Sequence, residues 1–151
     1  MSGQNPLHVE AIRNSIARYC LILDTKSWAD LSYVFTSEAD ASYPFPGGDL
    51  HGVESIRGAI RTRLEPVTTQ HAVTTQMIHV NENGDIASAV TYFTGVHFGT
   101  ERYEGEALTA YGKYEDDLVF SNEQWRIKKR VCSFMGRIGN QNVMKPLNER
   151  N

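Results

Sequence analysis

Residues 68–73 read "TTQHAV", and a histidine is the side chain best suited to moving a proton near neutral pH. An unperturbed imidazole titrates near pH 6.5, so it can take a proton and give it back. A histidine can equally be a buried structural group, hydrogen-bonded and inert. The stretch "TTQHAVTTQMIHV" is rich in threonine and β-branched residues and reads as a strand. Alternation puts Thr69, His71, Val73, Thr75, Met77 and His79 on one face. Gln70, Ala72, Thr74, Gln76, Ile78 and Val80 take the other. Neither face is cleanly polar, so hydropathy does not choose which one is buried.

A second histidine, His97, shares a strand face with Gly95, Phe93, Thr91, Ala89 and Ala87. Those small residues leave room beneath an aromatic, as a pocket wall would. His97 is therefore either a second acid or hydrogen-bond donor, or a histidine at a rim. Metal binding fails on reach, because His71 and His79 lie roughly 26 Å apart along one strand at ~3.3 Å per residue. His51 falls in a loop, and no His-x-x-x-His or Cys-x-x-Cys spacing is present. "GGDLHG" fits neither a dinucleotide fingerprint nor a P-loop, and no Gly-x-Ser-x-Gly offers an acyl-enzyme nucleophile. No metal and no cofactor are expected.

The chain of 151 residues is long enough for one domain with a real core. A net charge of −3 gives no electrostatic reason to expect nucleic acid or an anionic membrane as partner. The one basic run, Lys128-Lys129-Arg130, reads as a solvated strand edge. No apolar run reaches the ~20 residues of a membrane span, and "MSGQNPLHVE" lacks the features of a signal peptide. Cys20 and Cys132 make neither a disulfide framework nor a zinc set, so each reads as a small reduced hydrophobe. The expected setting is reducing and cytoplasmic.

The elements that must position these groups follow from periodicity. Asn5 is a plausible N-cap and Pro6 fits the first helical position. Val9, Ile12, Ile16, Tyr19 and Leu23 then form one apolar stripe that ends at Asp24-Thr25. "KSWADLSYVF" predicts a short second helix burying Trp28, Leu31 and Val34 or Phe35. "SEADASYPFPGGDLHG" reads as a short strand and a loop. "GVESIRGAIRTRLEP" predicts a third helix with Val53, Ile56, Ile60 and Leu64 inward, stopping at Pro66. Four strands in meander follow, and "NQNVMKPLNERN" is a polar, mobile tail. The order predicts an α+β fold, a curved antiparallel sheet wrapped around three N-terminal helices as a cone-shaped α+β barrel. Its open end can hold a small molecule.

Four stretches carry a resemblance: "RYCLILDTKSWADL", "LHGVESIRGAIRTRL", "TTQHAVTTQMIHV" and "EQWRIKKR". Over roughly residues 6 to 138, with a polar C-terminal tail beyond, the chain resembles the SnoaL-like branch of the nuclear-transport-factor-two-like cone folds. That branch includes scytalone dehydratase, bile-acid dehydratase, ketosteroid isomerase and small polyketide cyclases. Asp24 before Lys26-Ser27-Trp28 resembles the aspartate segment of the dehydratases, and "TQH" at 69–71 resembles the strand bearing their catalytic histidine. "GVHF" at 95–98 is similar to the strand giving scytalone dehydratase a second histidine. Tyr43 falls near a substrate-binding tyrosine there, and Tyr19 matches a tyrosine of bile-acid dehydratase. The chain departs from the pattern at Gly95, where bile-acid dehydratase has an acid, and at Leu23, where scytalone dehydratase has a tyrosine.

The resemblance implies a cofactor-independent dehydratase, isomerase or cyclase acting on a small apolar carbonyl metabolite, polyketide, terpenoid or steroid-like. It turns His71 toward the cone interior with Asp24 as its partner. Tyr19, Tyr43 and His97 would complete the catalytic set. Trp28, Phe45, Phe93, Tyr114 and Phe134 are the candidate cavity walls. A homodimer or homotrimer is expected. Two alternatives stay open: a non-catalytic small-molecule carrier or an assembly subunit of the same fold, and a His71–Asp24 pair that merely satisfies two buried polar groups.

Overall fold

A computed structural model describes residues 5–150. Helix α1 (Pro6–Thr25) begins as its sequence demands, with the Asn5 side chain accepting from the Leu7 amide at 3.0 Å and Pro6 in the first turn. Its inward face is Ile12, Ser15, Ile16, Tyr19, Cys20, Ile22 and Leu23. Helix α2 (Val53–Leu64) buries Val53, Ile56, Ile60 and Leu64. Between them "WADLSY" forms a 3-10 turn (Trp28–Tyr33) rather than an α-helix, and Phe35 already opens a strand.

Six strands form one sheet: β1 (Phe35–Tyr43), β2 (Gly48–His51), β3 (Thr68–Val80), β4 (Ile86–Phe98), β5 (Ala107–Ser121) and β6 (Gln124–Gly139). Their order is β2-β1-β6-β5-β4-β3, with β1 parallel to β6 and every other pair antiparallel. The expected loop after Tyr43 is a tight turn, closed by the Gly47 amide on the Pro44 carbonyl at 2.8 Å, and leads into β2. Both helices pack on the sheet, α1 against β3 and β6 and α2 against β1 and β2. The architecture is the α+β cone.

Two bulges change which residues face inward. On β3, Val73 pairs with Phe93 but Gln76 pairs with Thr91, so one residue is extra between them. Beyond Val73 the alternation is therefore inverted. Gln76, Ile78 and Val80 turn inward, Gln76 donating to the buried Thr91 hydroxyl at 2.9 Å, while Met77 is 77% exposed. Strict period-two reading put Thr75, Met77 and His79 with His71. The bulge removes them.

On β6, Lys129 pairs with Asp117 but Ile127 pairs with Leu118, which leaves Lys128 unpaired. Ile127 and Arg130 consequently both point inward, each fully buried, while Lys128 and Lys129 stay in solvent. Arg130 is no member of a solvated edge. The polar tail is not loose either. Arg150 is buried and donates to the carbonyls of Pro66 (3.0 Å), Val143 (2.8 Å), Thr100 (3.0 Å) and Lys145 (3.0 Å), which seats the tail on the start of β3.

Candidate active site

Asp24 lies in the last turn of α1, and the residue after that helix fixes where the turn ends. Lys26 takes a left-handed backbone (φ 58°) and its amide closes on the Ile22 carbonyl. Its ammonium donates to the carbonyls of Leu64 (2.7 Å), Glu65 (3.2 Å) and Val67 (2.7 Å), at and just beyond the end of α2. A cation on orphan helix carbonyls is favourable, and here it clasps the ends of both helices beside β3.

So placed, the Asp24 carboxylate accepts three hydrogen bonds from β3. The His71 ring Nδ1 donates to Oδ1 at 2.7 Å, the His71 amide to Oδ2 at 2.9 Å, and the Thr69 hydroxyl to Oδ1 at 2.8 Å. Burial alone would raise the Asp24 pKa. The bonds from the His71 ring, the His71 amide and Thr69 outweigh it and hold the carboxyl below the usual value. The carboxylate only accepts, so Nδ1 carries hydrogen and a neutral ring keeps its bare lone pair on Nε2.

That nitrogen lies over Gly95, which pairs directly with His71 across β3 and β4. A Cβ at residue 95 would stand 3.1 Å from His71 Cδ2, 3.2 Å from its Nε2 and 3.6 Å from His97 Cε1. The missing side chain is the space in which the two imidazoles meet edge to face, centroids 5.8 Å apart. His97 donates from Nδ1 to the Leu108 carbonyl at 3.1 Å, which leaves its own Nε2 as an acceptor. Burial, with smaller contributions from His71 and Arg63, pulls its pKa down to about 4 despite the Leu108 bond. His97 is a neutral acceptor at pH 7.

Across the cavity, the Tyr19 and Tyr43 hydroxyls are 2.9 Å apart. Burial pushes Tyr43 up to about 12 and Tyr19 well above the ordinary phenol value, so both keep their hydrogens. One phenol donates to the other, and the second O–H remains to be given to a ligand. Arg130 lies behind them, its guanidinium carbon 4.3 Å from the Tyr19 ring centroid and 4.0 Å from that of Tyr114. Asp116 holds it by two parallel bonds of 2.7 Å.

These groups converge on a largely apolar inner cavity of about 80 Å³, compact beside the ~300–1,000 Å³ of drug-sized ligand sites. Of the residues singled out in the sequence, Tyr19, Tyr43, His71, His97, Phe93, Tyr114 and Phe134 line it, with Phe93 stacked on Tyr114 at 4.3 Å. Asp24 stands behind His71. Trp28 is not a cavity wall. It borders a separate surface depression with Lys26, Arg57 and Arg61. Phe45 is 90% exposed and borders an outer pocket instead.

A SnoaL-like domain model matches residues 7–131. The chain belongs to the SnoaL-like domain family. No curated protein matches it. Among solved structures it is similar to the Kfla4162 protein of Kribbella flavida, with a TM-score of 0.82 and 16% identity over 92% of this chain and 97% of that one. It is similar to a putative scytalone dehydratase of Novosphingobium aromaticivorans, with a TM-score of 0.79 and 21% identity over the full length of both. A hexachlorocyclohexane dehydrochlorinase, LinA type 2, matches with a TM-score of 0.77 and 13% identity over 93% of this chain and 97% of that one. At these identities the likeness is one of fold.

Within this SnoaL-like cone, the sequence reading missed Thr69, Arg63, Arg130 and Asp116. Thr69 had a signal, since it precedes His71 by two on one strand face. The Arg130–Asp116 pair had none, because the bulge that brings them together leaves no mark in hydropathy.

Proposed function

We propose that this protein is a cofactor-independent lyase or isomerase in which His71 removes a proton α to a carbonyl of a small apolar compound. One observation carries the reading. Three bonds to Asp24 fix the hydrogen on His71 Nδ1, which leaves Nε2 as the basic atom on the inner face of an apolar cavity. A pair serving only to satisfy buried groups would not need that second nitrogen against a cavity.

In this mechanism His71 Nε2 takes the α-hydrogen as the carbonyl becomes an enolate. The O–H of Tyr43 or Tyr19 donates to the developing oxyanion, and the positive charge of Arg130 behind the ring pair favours charge build-up there. The imidazolium, stabilised by Asp24, then returns its proton. Delivered to a β-hydroxyl, it expels water and completes a dehydration; delivered to another carbon, it moves a double bond. An enolate attacking a second carbonyl of the same molecule would cyclise it. His97 Nε2 accepts from a substrate hydroxyl and orients it.

The test is comparative. Small-molecule extracts incubated with wild-type and His71→Ala protein are compared by untargeted mass spectrometry. The mechanism predicts compounds that lose one water, or change to an isomer, only with the wild type. Identical product profiles would refute it.

The outer sheet face shows Met77 beside its partner Val90, with Tyr92 and Tyr111 also exposed. This supports self-association as a dimer or trimer, which a single-chain mass in sedimentation would contradict. The two buried free thiols fit a reducing, cytoplasmic setting.

A further inference from the structure

Helix α2 carries three arginines, and two have partners. Arg57 pairs with Glu54 and donates to the Trp28 carbonyl, and Arg61 lies 3.5 Å from Glu65. Arg63 is different. It is half-buried, lines the cavity, and makes neither an ion pair nor a hydrogen bond among the described residues. The charged group nearest in effect is another cation, Arg137, and burial together with that repulsion lowers its pKa. A guanidinium stays ionised in proteins, so holding one half-desolvated without an anion is costly.

Arg63 also marks a junction. The inner cavity and an outer pocket share Gly47, Ala59 and Arg63. The outer pocket adds Phe45, Met144 and Pro146 as apolar walls and Thr62, Gln141 and Arg137 as polar ones, and among the described residues no carboxylate lines it. The whole chain has net charge −3, yet among the described residues this mouth presents two arginines and no acid. A positive mouth on an acidic molecule is suited to drawing in an anion.

We propose that the substrate carries an anionic oxygen group, a carboxylate or a phosphate, bound by Arg63 at the junction with Arg137 as a second positive charge. The inference rests on the reading of the inner cavity as the carbonyl site, and adds to it that the apolar carbonyl part lies inside while the anion remains at the mouth. The planar fork of Arg63 matches two oxygens of either group. A purely neutral hydrocarbon ketone would leave Arg63 unpaired.

Binding is measured by calorimetry at fixed pH with three probes: 2-tetralone, its 6-carboxylate and its 6-phosphate ester. Wild-type protein binds at least one charged probe about tenfold or more tightly than the neutral ketone, and added salt reduces the preference. The better of the two charged probes identifies the source of the anion. Arg63→Gln abolishes the preference by weakening the charged probes far more than 2-tetralone, Arg63→Lys keeps part of it, and Arg137→Gln weakens it. Equal affinity of the wild type for charged and neutral probes, no binding of either charged probe at millimolar concentration, or an unchanged preference in Arg63→Gln would overturn the proposal. His71→Ala retains the preference. If it does so while α-hydrogen exchange proves independent of His71, the catalytic reading falls and the anion site stands; exchange that needs His71 without any charge preference gives the converse.

Discussion

Asp24 Oδ1 and His71 Nδ1 are 2.7 Å apart, and the same carboxylate also takes the His71 amide and the Thr69 hydroxyl. Backbone and ring of one residue are thus gripped by one side chain, which fixes the tautomer as well as the position of the imidazole. Asp24→Asn retains the shape but replaces one acceptor by a donor. An amide N–H facing Nδ1 favours the opposite tautomer and takes the lone pair away from the cavity.

Asp24→Asn should therefore lower turnover by roughly 10²-fold or more and cost about 1–3 kcal/mol of stability at pH 7 through loss of the charge-assisted bonds from His71 and Thr69. The Asp24 carboxyl is depressed in the folded protein. Its stabilisation is present above the unfolded pKa near 4 and is lost as pH falls through the lower folded value. Denaturant midpoints of wild type and variant should differ at pH 7 and converge as the solution is acidified below about pH 4. A gap that persists unchanged in acid would contradict the assignment.

Gly95 tests the geometry without touching a titratable group. Its absent Cβ would stand 3.1–3.2 Å from the His71 ring, tight enough that the ring must yield. Gly95→Val should therefore cut turnover by about tenfold or more through misplacement, with an overpacking cost of about 1–3 kcal/mol that leaves the protein folded. Wild-type turnover in this variant would show that the His71 position is not critical.

Asp116 and Arg130 form a fully buried ion pair beneath the Tyr19–Tyr43 relay. Removing one partner leaves the other charge in the core. Asp116→Asn is expected to destabilise by about 3–5 kcal/mol in chemical denaturation, more than truncation of an exposed ion pair such as Arg13–Glu10, which is worth about 0–1 kcal/mol. A cost below about 1 kcal/mol would mean the pair is hydrated.

The legible part of this molecule is the part governed by simple periods. The α1 stripe delivered Tyr19 and Leu23 inward and ended at Asp24, and unbroken alternation on β4 put His97 on the buried face with Gly95 and Phe93. Periods fail where a residue is inserted. The extra residue after Val73 inverted half of β3, and the unpaired Lys128 turned Arg130 from solvent into the core. Composition fails where partners are distant. Arg150 reads as polar tail but finds its carbonyl acceptors at Pro66 and Thr100, far away in the chain. Arg63 looks like any helix-surface arginine, and only its place between the inner cavity and an outer pocket with no acid among its described walls distinguishes it.

The central claim is that His71 Nε2 is a base for a hydrogen α to a carbonyl. It is tested most directly by following α-hydrogen exchange of 2-tetralone in D₂O by proton NMR, with wild-type, His71→Ala and Asp24→Asn proteins at equal concentration and confirmed folding. Wild type should exchange the α-hydrogens roughly 10²-fold or more faster than either variant. Equal rates in all three, at or above the buffer rate, would contradict it.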